Sequence, residues 1–192
     1  MGETRTFSNE RIRKITIIGM LCALSYISMF IFNGRIPIVQ LPGTNVNLSY
    51  DPKDIFIIIG GFIYGPLTCF IISFIVSFIE MITVSSTQLW GFVMNIVSTC
   101  SFACTAAFIY KRRKDFTGAA IGLAVGCLAV TGMMTLWNYA VTPIYTGAPR
   151  AFIADMLLPA FIPFNLIKSG INLTVTLILY KPMTNVARSL KI

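Results

Sequence analysis

The sequence predicts an all-α integral membrane protein, a bundle of six transmembrane helices with both termini cytoplasmic. Three observations predict it. The first is composition: the 192 residues are 56% hydrophobic and only 11% charged, with a mean hydropathy of +0.79. Soluble domains carry about 25% charged residues. The second is that apolar runs near the roughly 20 residues needed to cross a bilayer recur along the chain. The third is that the cations sit beside those runs, where a topology signal belongs.

The basic opening "ETRTFSNERIRK" leads into the first span, residues 15–32. No A-x-A site follows it, so the run is read as a retained helix and not a cleaved signal peptide. A polar loop, "NGRIPIVQLPGTNVNLSYDPKD", follows at 33–54. The next apolar tract, 55–84, is long for one crossing and short for two. Charge parity decides. Arg5, Arg11, Arg13 and Lys14 place the N-terminus inside, and "KRRKD" at 111–115 is equally basic. An even number of crossings must separate them. The tract therefore supplies two spans, 54–64 and 66–84, broken at "GGFIYGP" by glycines and Pro66. Span 2 is then short or partly embedded in protein.

Spans 4, 5 and 6 follow at 91–110, 116–141 and 161–180. On this topology 11 of the 15 Lys and Arg residues lie inside. Arg35, Lys53, Arg150 and Lys168 fall outside or near the outer face. Residues 1–192 read as a single transmembrane domain, with connections at 33–54 and 142–160 that suit structured lids.

Composition also narrows function. The formal charge is +8, yet no basic patch is interleaved with aromatics, so nucleic acid is not the expected partner. There is no histidine, and the five cysteines form no C-x-x-C pair, which speaks against a metal or haem site. They read as small buried apolar residues. No Walker A, G-x-S-x-G or H-E-x-x-H motif occurs, and the commonest general base is missing. The chain is expected not to be an enzyme, and a transporter built on it needs separate ATPases.

Polar groups gather in the outer half: Thr44, Asn45, Asn47, Ser49, Tyr50 and Asp51 in the first loop, Glu80 on span 3, and Gly91 and Asn95 on span 4. Asn138 lies between two aromatics on span 5. Asn165, Lys168 and Asn172 recur at i, i+3 and i+7 on span 6, so they share one helix face. Uncharged amides, hydroxyls and aromatics around an apolar pocket suit a neutral, flat, hydrogen-bonding ligand. Two readings fit Lys168: a ligand-facing group, or an ion-pair partner of Glu80, Asp51 or Asp54 that stabilises the bundle. Glu80 alone reads as a structural partner at a helix end. Trp137 and Tyr139 read as interface anchors. On span 1, Gly19 and Ala23 stand four apart, a spacing that permits close helix contact. The contact is either within the bundle or with another membrane subunit.

The segments "RKITIIGMLCALSYI", "GFVMNIVST", "MTLWNYAVTPIY" and "LLPAFIPFNLIKSGIN" together resemble the S components of energy-coupling factor (ECF) transporters. The riboflavin-binding branch is most similar, and the resemblance covers roughly residues 11 to 182. It implies extracellular capture of a vitamin, in a bacterial plasma membrane, and inward delivery with a transmembrane T component and two cytoplasmic ATPases. It implies flavin contacts at Asn138, Asn165 and Lys168, with Gly91 and Asn95 as weaker candidates and Thr44 to Tyr50 in the lid; Asn172 joins the substrate-binding candidates by its shared helix face. Loop 1 acts as a lid in that branch. Gly19 and Ala23 match the small-residue strip that docks on the T component, with a glycine and a cysteine where alanines are usual. The transported ligand is riboflavin on this reading, and no other cofactor is expected. A lysine among amides also suits pantothenate, folate or a pyridoxine-like vitamin, and a stand-alone carrier is a further alternative.

Overall fold

A chain in lipid must satisfy its backbone hydrogen bonds internally, which makes helices the available answer for long apolar runs. The computed structural model describes residues 2–32, 37–40, 47–85 and 87–189. Helix α1 runs Gly2–Phe32, followed by strands β1 (Pro37–Gln40) and β2 (Asn47–Ser49). Then come α2 (Lys53–Tyr64), α3 (Pro66–Thr83) and α4 (Gln88–Thr99). A π-helical turn, Cys100–Cys104, joins α4 to α5 (Thr105–Arg112). Helices α6 (Phe116–Ala140), α7 (Thr142–Thr146) and α8 (Arg150–Met156) follow, and a second π turn, Leu157–Phe161, leads into α9 (Ile162–Ser189).

Among the described residues five helical stretches are long and apolar enough to cross a membrane: Glu10–Phe32, Pro66–Thr83, Gln88–Arg112, Phe116–Ala140 and Arg150–Ser189. Helix α2 has 12 residues, about 18 Å at 1.5 Å per residue. That is shorter than the hydrocarbon core of about 30 Å. Its burial explains how it persists: Ile55, Ile57, Ile58, Gly60, Gly61 and Phe62 are all enclosed by neighbouring helices. The break after it has a plain cause. Gly65 adopts φ +96°, a conformation that suits glycine, and Pro66 then opens α3 at its first turn, where a missing N–H costs nothing.

The residue pattern is inverted relative to a water-soluble bundle. Helix α3 buries Thr68, Cys69, Ile72, Ser73, Val76 and Ser77. It exposes Leu67, Phe70, Ile71, Phe74, Ile75, Phe78 and Ile82. Small and hydroxyl-bearing residues face inward and large apolar ones face out, as expected where the surroundings are hydrocarbon. Helix α6 repeats the rule with Gly118, Ala119, Gly122, Leu123, Gly126 and Val130 inward. The approach is close: a Cβ on Gly122 would stand 2.7 Å from the Ala106 carbonyl oxygen, and one on Gly126 2.7 Å from that of Phe102. At its start, Asp115 caps α6 by accepting from the Gly118 N–H at 2.6 Å.

The two connections named from the sequence contain regular elements. The loop at 33–54 contains a short antiparallel ladder, with Val39 opposite Leu48 and Gln40 opposite Asn47, a local addition to a helical fold. The connection at 142–160 is helical over most of its length. Its prolines initiate helices: Pro143 lies in the first turn of α7, and Pro149 is the residue preceding α8. Helix α9 also continues past the expected 180 to Ser189, passing through Pro182.

Candidate functional site

The polar groups converge where the start of α2 meets α3, α4 and α9. Tyr50, Asp51 and Pro52 lead from β2 into α2, and this segment is drawn into the bundle: Tyr50 is buried, and its hydroxyl donates to Asn172 Oδ1 at 2.8 Å. Asn172 lies ten residues into α9 and is wholly enclosed. Its other face donates from Nδ2 to Asp54 Oδ2 at 3.4 Å. Asp54 Oδ1 accepts from the Thr99 hydroxyl at 2.7 Å. Ser25 on α1 donates to the Lys53 carbonyl oxygen at 3.0 Å, tying the first helix to the same corner.

Both lysines of this interior are paired. Lys168 meets Asp51 at 2.9 Å, and Lys53 meets Glu80 at 2.7 Å. Lys53 is only 2% exposed. A lone charge buried there would cost several kcal/mol, so each lysine requires its carboxylate. Burial pushes the Asp51 carboxyl upward, but Lys168 and then Lys53 outweigh it and hold the group down at about 2. Of the three partners the sequence offers Lys168, the structure selects Asp51. Glu80 is a structural partner at a helix end, as its sequence position suggests, but its cation is Lys53.

The sequence-expected site residues fall into three groups. Asn165, Lys168, Asn172 and Tyr50 come together with Asp54. A small cavity of about 10 Å³, room for one water, is lined by Asp54, Ser98, Phe102, Val130, Asn165, Lys168 and Ser169. Asn165 donates from Nδ2 to the Phe161 carbonyl oxygen at 2.7 Å, and its own carbonyl accepts from Ser169 at 2.6 Å. Asn138 is buried, donating to the Met134 carbonyl oxygen at 2.7 Å and accepting from Thr142 at 3.0 Å. Next to it, the Trp137 indole N–H is buried and finds no hydrogen-bond partner among the described residues, which is unlike an interface anchor. Gly91 is buried beside the Ser85 and Thr87 hydroxyls, and Asn95 is half-buried one turn further on. Trp90 stacks on Tyr145 at 6.0 Å between ring centres. Thr44 lies outside the described residues.

Gly19 and Ala23 are exposed on α1, away from the cluster, whereas Cys22 and Ser25 turn inward. A Cβ on Gly19 would meet nothing within 4 Å. Packing within the bundle therefore does not use them. An apolar groove of about 820 Å³ also involves α1, lined by Ile12, Met20, Leu24, Ile59, Leu179 and Val186 among others. Its lining is mainly apolar, with Arg13 and Thr16 the polar exceptions, so hydrogen-bonding side chains are concentrated in the smaller corner.

Sequence reasoning had not singled out Thr99 and Ser169. Both carried a signal: Thr99 is four residues beyond Asn95, and Ser169 four beyond Asn165, so each extends a polar helix face.

Comparison with known proteins places this geometry in context. A family profile described as "ECF transporter, substrate-specific component" matches residues 13–180. The chain is 28% identical to the riboflavin transporter FmnP of Bacillus subtilis over 174 residues, covering 86% of this chain and 88% of that protein. It is 25% identical to the riboflavin transporter RibU of Staphylococcus aureus over 191 residues, covering 96% and 97%. A structure described as the S component of a bacterial ECF transporter superposes with a TM-score of 0.75 at 25% identity, over 92% of this chain and 98% of that one. With several membrane-crossing helices and a family match across most of its length, this multi-pass membrane protein belongs to the substrate-specific components of ECF transporters.

Proposed function

We propose that the chain captures riboflavin on the extracellular side of a bacterial plasma membrane. It then delivers the vitamin inward together with a T component and two cytoplasmic ATPases. The family is a transporter component family, not an enzyme family. The topology of this reading has six crossings, with α2 as a short second span buried in protein and both termini cytoplasmic. The polar corner then faces outward.

The observation that carries the ligand assignment is the charge balance of that corner. Both lysines are answered by carboxylates at 2.9 and 2.7 Å. Lys168 therefore has no spare charge for an acidic vitamin such as pantothenate or folate. It retains N–H groups for a neutral carbonyl, since an ammonium has three. Amides from Asn138 and Asn165 supply donors and acceptors of the kind a dicarbonyl ring edge requires. Both relatives above are named riboflavin transporters, which supports the same choice.

The closed corner also suggests how capture proceeds. Its cavity holds one water, so a flavin enters only when Tyr50 and Asp51 withdraw from Asn172 and Lys168. Tyr50 is a candidate lid residue on this reading. Titration of the purified protein with riboflavin tests the assignment: flavin fluorescence should be quenched on binding at nanomolar to micromolar concentration. Tight binding of another vitamin, with no response to riboflavin, would overturn it.

A further inference from the structure

We propose that the cleft between α1 and α9 is a binding site for one anionic phospholipid, with an acyl chain along its apolar walls and the phosphate at its basic mouth. The site is separate from the polar corner and does not depend on which vitamin is carried.

Helices α1 and α9 both pack on α2 and leave a cleft between them, with Ile59 and Ile63 of α2 as its floor. Met20 and Leu24 line one wall, and Leu179 and Val186 the other. Met20 is 59% and Val186 55% exposed, so the cleft opens to the surroundings and is not closed by the bundle itself. From Ile12 to Leu24 the lining follows α1 for about 18 Å at 1.5 Å per residue. That matches one leaflet, half of a hydrocarbon core of about 30 Å. Its volume of about 820 Å³ lies within the range of roughly 300–1,000 Å³ that ligand sites span. The Thr16 hydroxyl in the lining donates to the Ile12 carbonyl oxygen at 2.9 Å within its own helix, so it asks nothing of an apolar chain.

One end of the cleft is basic. Arg13 lines it there, and Lys14 follows with its Nζ 5.4 Å from the centre of the Tyr64 ring. Arg188 comes directly after Ala187, the last lining residue of α9. Within Glu10–Lys14, Arg11, Arg13 and Lys14 stand against the single acid Glu10, so this end is net positive. On the topology proposed above it is the cytoplasmic end. The Tyr64 hydroxyl is buried and has no hydrogen-bond partner among the described residues. It places a donor beside the cations. A phosphodiester brings negative charge and acceptor oxygens to that mouth, while its chain covers the apolar walls. A soluble anion would use the mouth and leave the cleft uncovered. A zwitterionic lipid would cover the cleft and gain nothing from the net charge.

The full chain, purified in detergent, is titrated with phosphatidylglycerol and with phosphatidylcholine of the same acyl chains, and native mass spectrometry counts the lipids retained. The reading is the ratio of the two dissociation constants for the first lipid, which cancels general damage to the fold. A cation beside an anionic headgroup contributes about fivefold, so with two at the mouth the wild type should favour phosphatidylglycerol by about 25-fold. Arg13→Gln and Lys14→Gln should each narrow the ratio by about fivefold, and where one does not fold the other carries the test. Thr16→Trp fills the cleft, leaves every charge in place and should weaken the first phosphatidylglycerol by about tenfold. Glycerol 3-phosphate, a headgroup without chains, should not bind at the concentration that saturates the lipid. Equal affinity of the wild type for the two lipids overturns the inference. So does an unchanged ratio in either Gln variant that folds, or an unchanged affinity in Thr16→Trp. Glycerol 3-phosphate binding as tightly as the lipid, or a dimer of the chain in place of the lipid adduct, overturns it as well. None of these outcomes touches the riboflavin titration, so the proposed function stands or falls separately.

Discussion

Glu80→Gln isolates the contribution of the most deeply buried ion pair. In the native protein Lys53 Nζ lies 2.7 Å from Glu80 Oε2, with Lys53 2% and Glu80 17% exposed. At an effective permittivity of about 20, that separation corresponds to a gross attraction of about 6 kcal/mol. Desolvation of both ions offsets much of it. Removing one partner nevertheless strands the other charge, which costs about 3–5 kcal/mol in buried pairs. The Asp51 carboxylate also attracts the Lys53 ammonium, so it takes up part of the stranded charge. The lower end, about 3 kcal/mol, is the expected loss. At 2–4 °C per kcal/mol for a chain of this size, the midpoint should fall by about 6–12 °C. Thermal unfolding in detergent, followed by the fluorescence of Trp90 and Trp137, gives the reading. Lys53→Met combined with Glu80→Gln removes the stranded ammonium and should recover most of the loss. A midpoint within 2 °C of the wild type for Glu80→Gln alone, or strictly additive single and double variants, would refute the reasoning.

Four further outcomes follow from the same geometry. Asp51 is held at about 2, below the ordinary carboxylate value of 3.8. Its contribution of roughly 2–3 kcal/mol is present above about pH 4 and lost as pH falls toward 2; a Lys168→Met variant should show a flatter acid limb in thermal scans. Gly126→Val drives a side chain toward the Phe102 carbonyl oxygen, 2.7 Å from the Cβ position, and should cost about 1–3 kcal/mol of stability in the same assay. A bulky residue at Gly19 or Ala23 meets no neighbour within the bundle; it should spare riboflavin binding yet abolish uptake in vesicles containing the T component and ATPases, and loss of binding would refute the docking role. Asn165→Ala and Asn138→Ala should each weaken riboflavin binding by about tenfold in fluorescence titrations, and an unchanged affinity would remove that residue from the site.

Much of the helical plan is written in local pattern. Apolar runs and flanking cations mark the long helices, and the Gly65–Pro66 break is readable because each residue has a specific backbone preference. The connection at 142–160 reads from sequence only as a candidate structured lid, and its prolines do not announce the helices they start. Pro143 and Pro149 stand where a helix starts, and only the neighbouring chain decides whether a proline starts or stops one. The hairpin residues Pro37–Gln40 and Asn47–Ser49 are too short and too polar to announce strands by periodicity.

The site was legible by face and illegible by partner. Spacing at i, i+3 and i+7 puts Asn165, Lys168 and Asn172 on one side of α9, and the structure has Lys168 and Asn172 turned to the same corner. It cannot say that Lys168 reaches Asp51, 117 positions away, while Glu80 takes Lys53. That allocation changes the chemistry. An unpaired lysine would recruit an acidic ligand, whereas a neutralised one offers only directed N–H groups. The same lysine therefore supports opposite substrate classes according to which carboxylate stands beside it. Asp51 reaches it because the Tyr50–Pro52 segment turns into the bundle and the Tyr50 hydroxyl anchors on Asn172. Cutting that anchor with Tyr50→Phe should loosen the Asp51–Lys168 pair without touching either charge. The expected signature is a loss of the acid-dependent step in stability together with faster riboflavin association. Retention of both wild-type behaviours would show that Asp51 is positioned by its own backbone and not by the tyrosine.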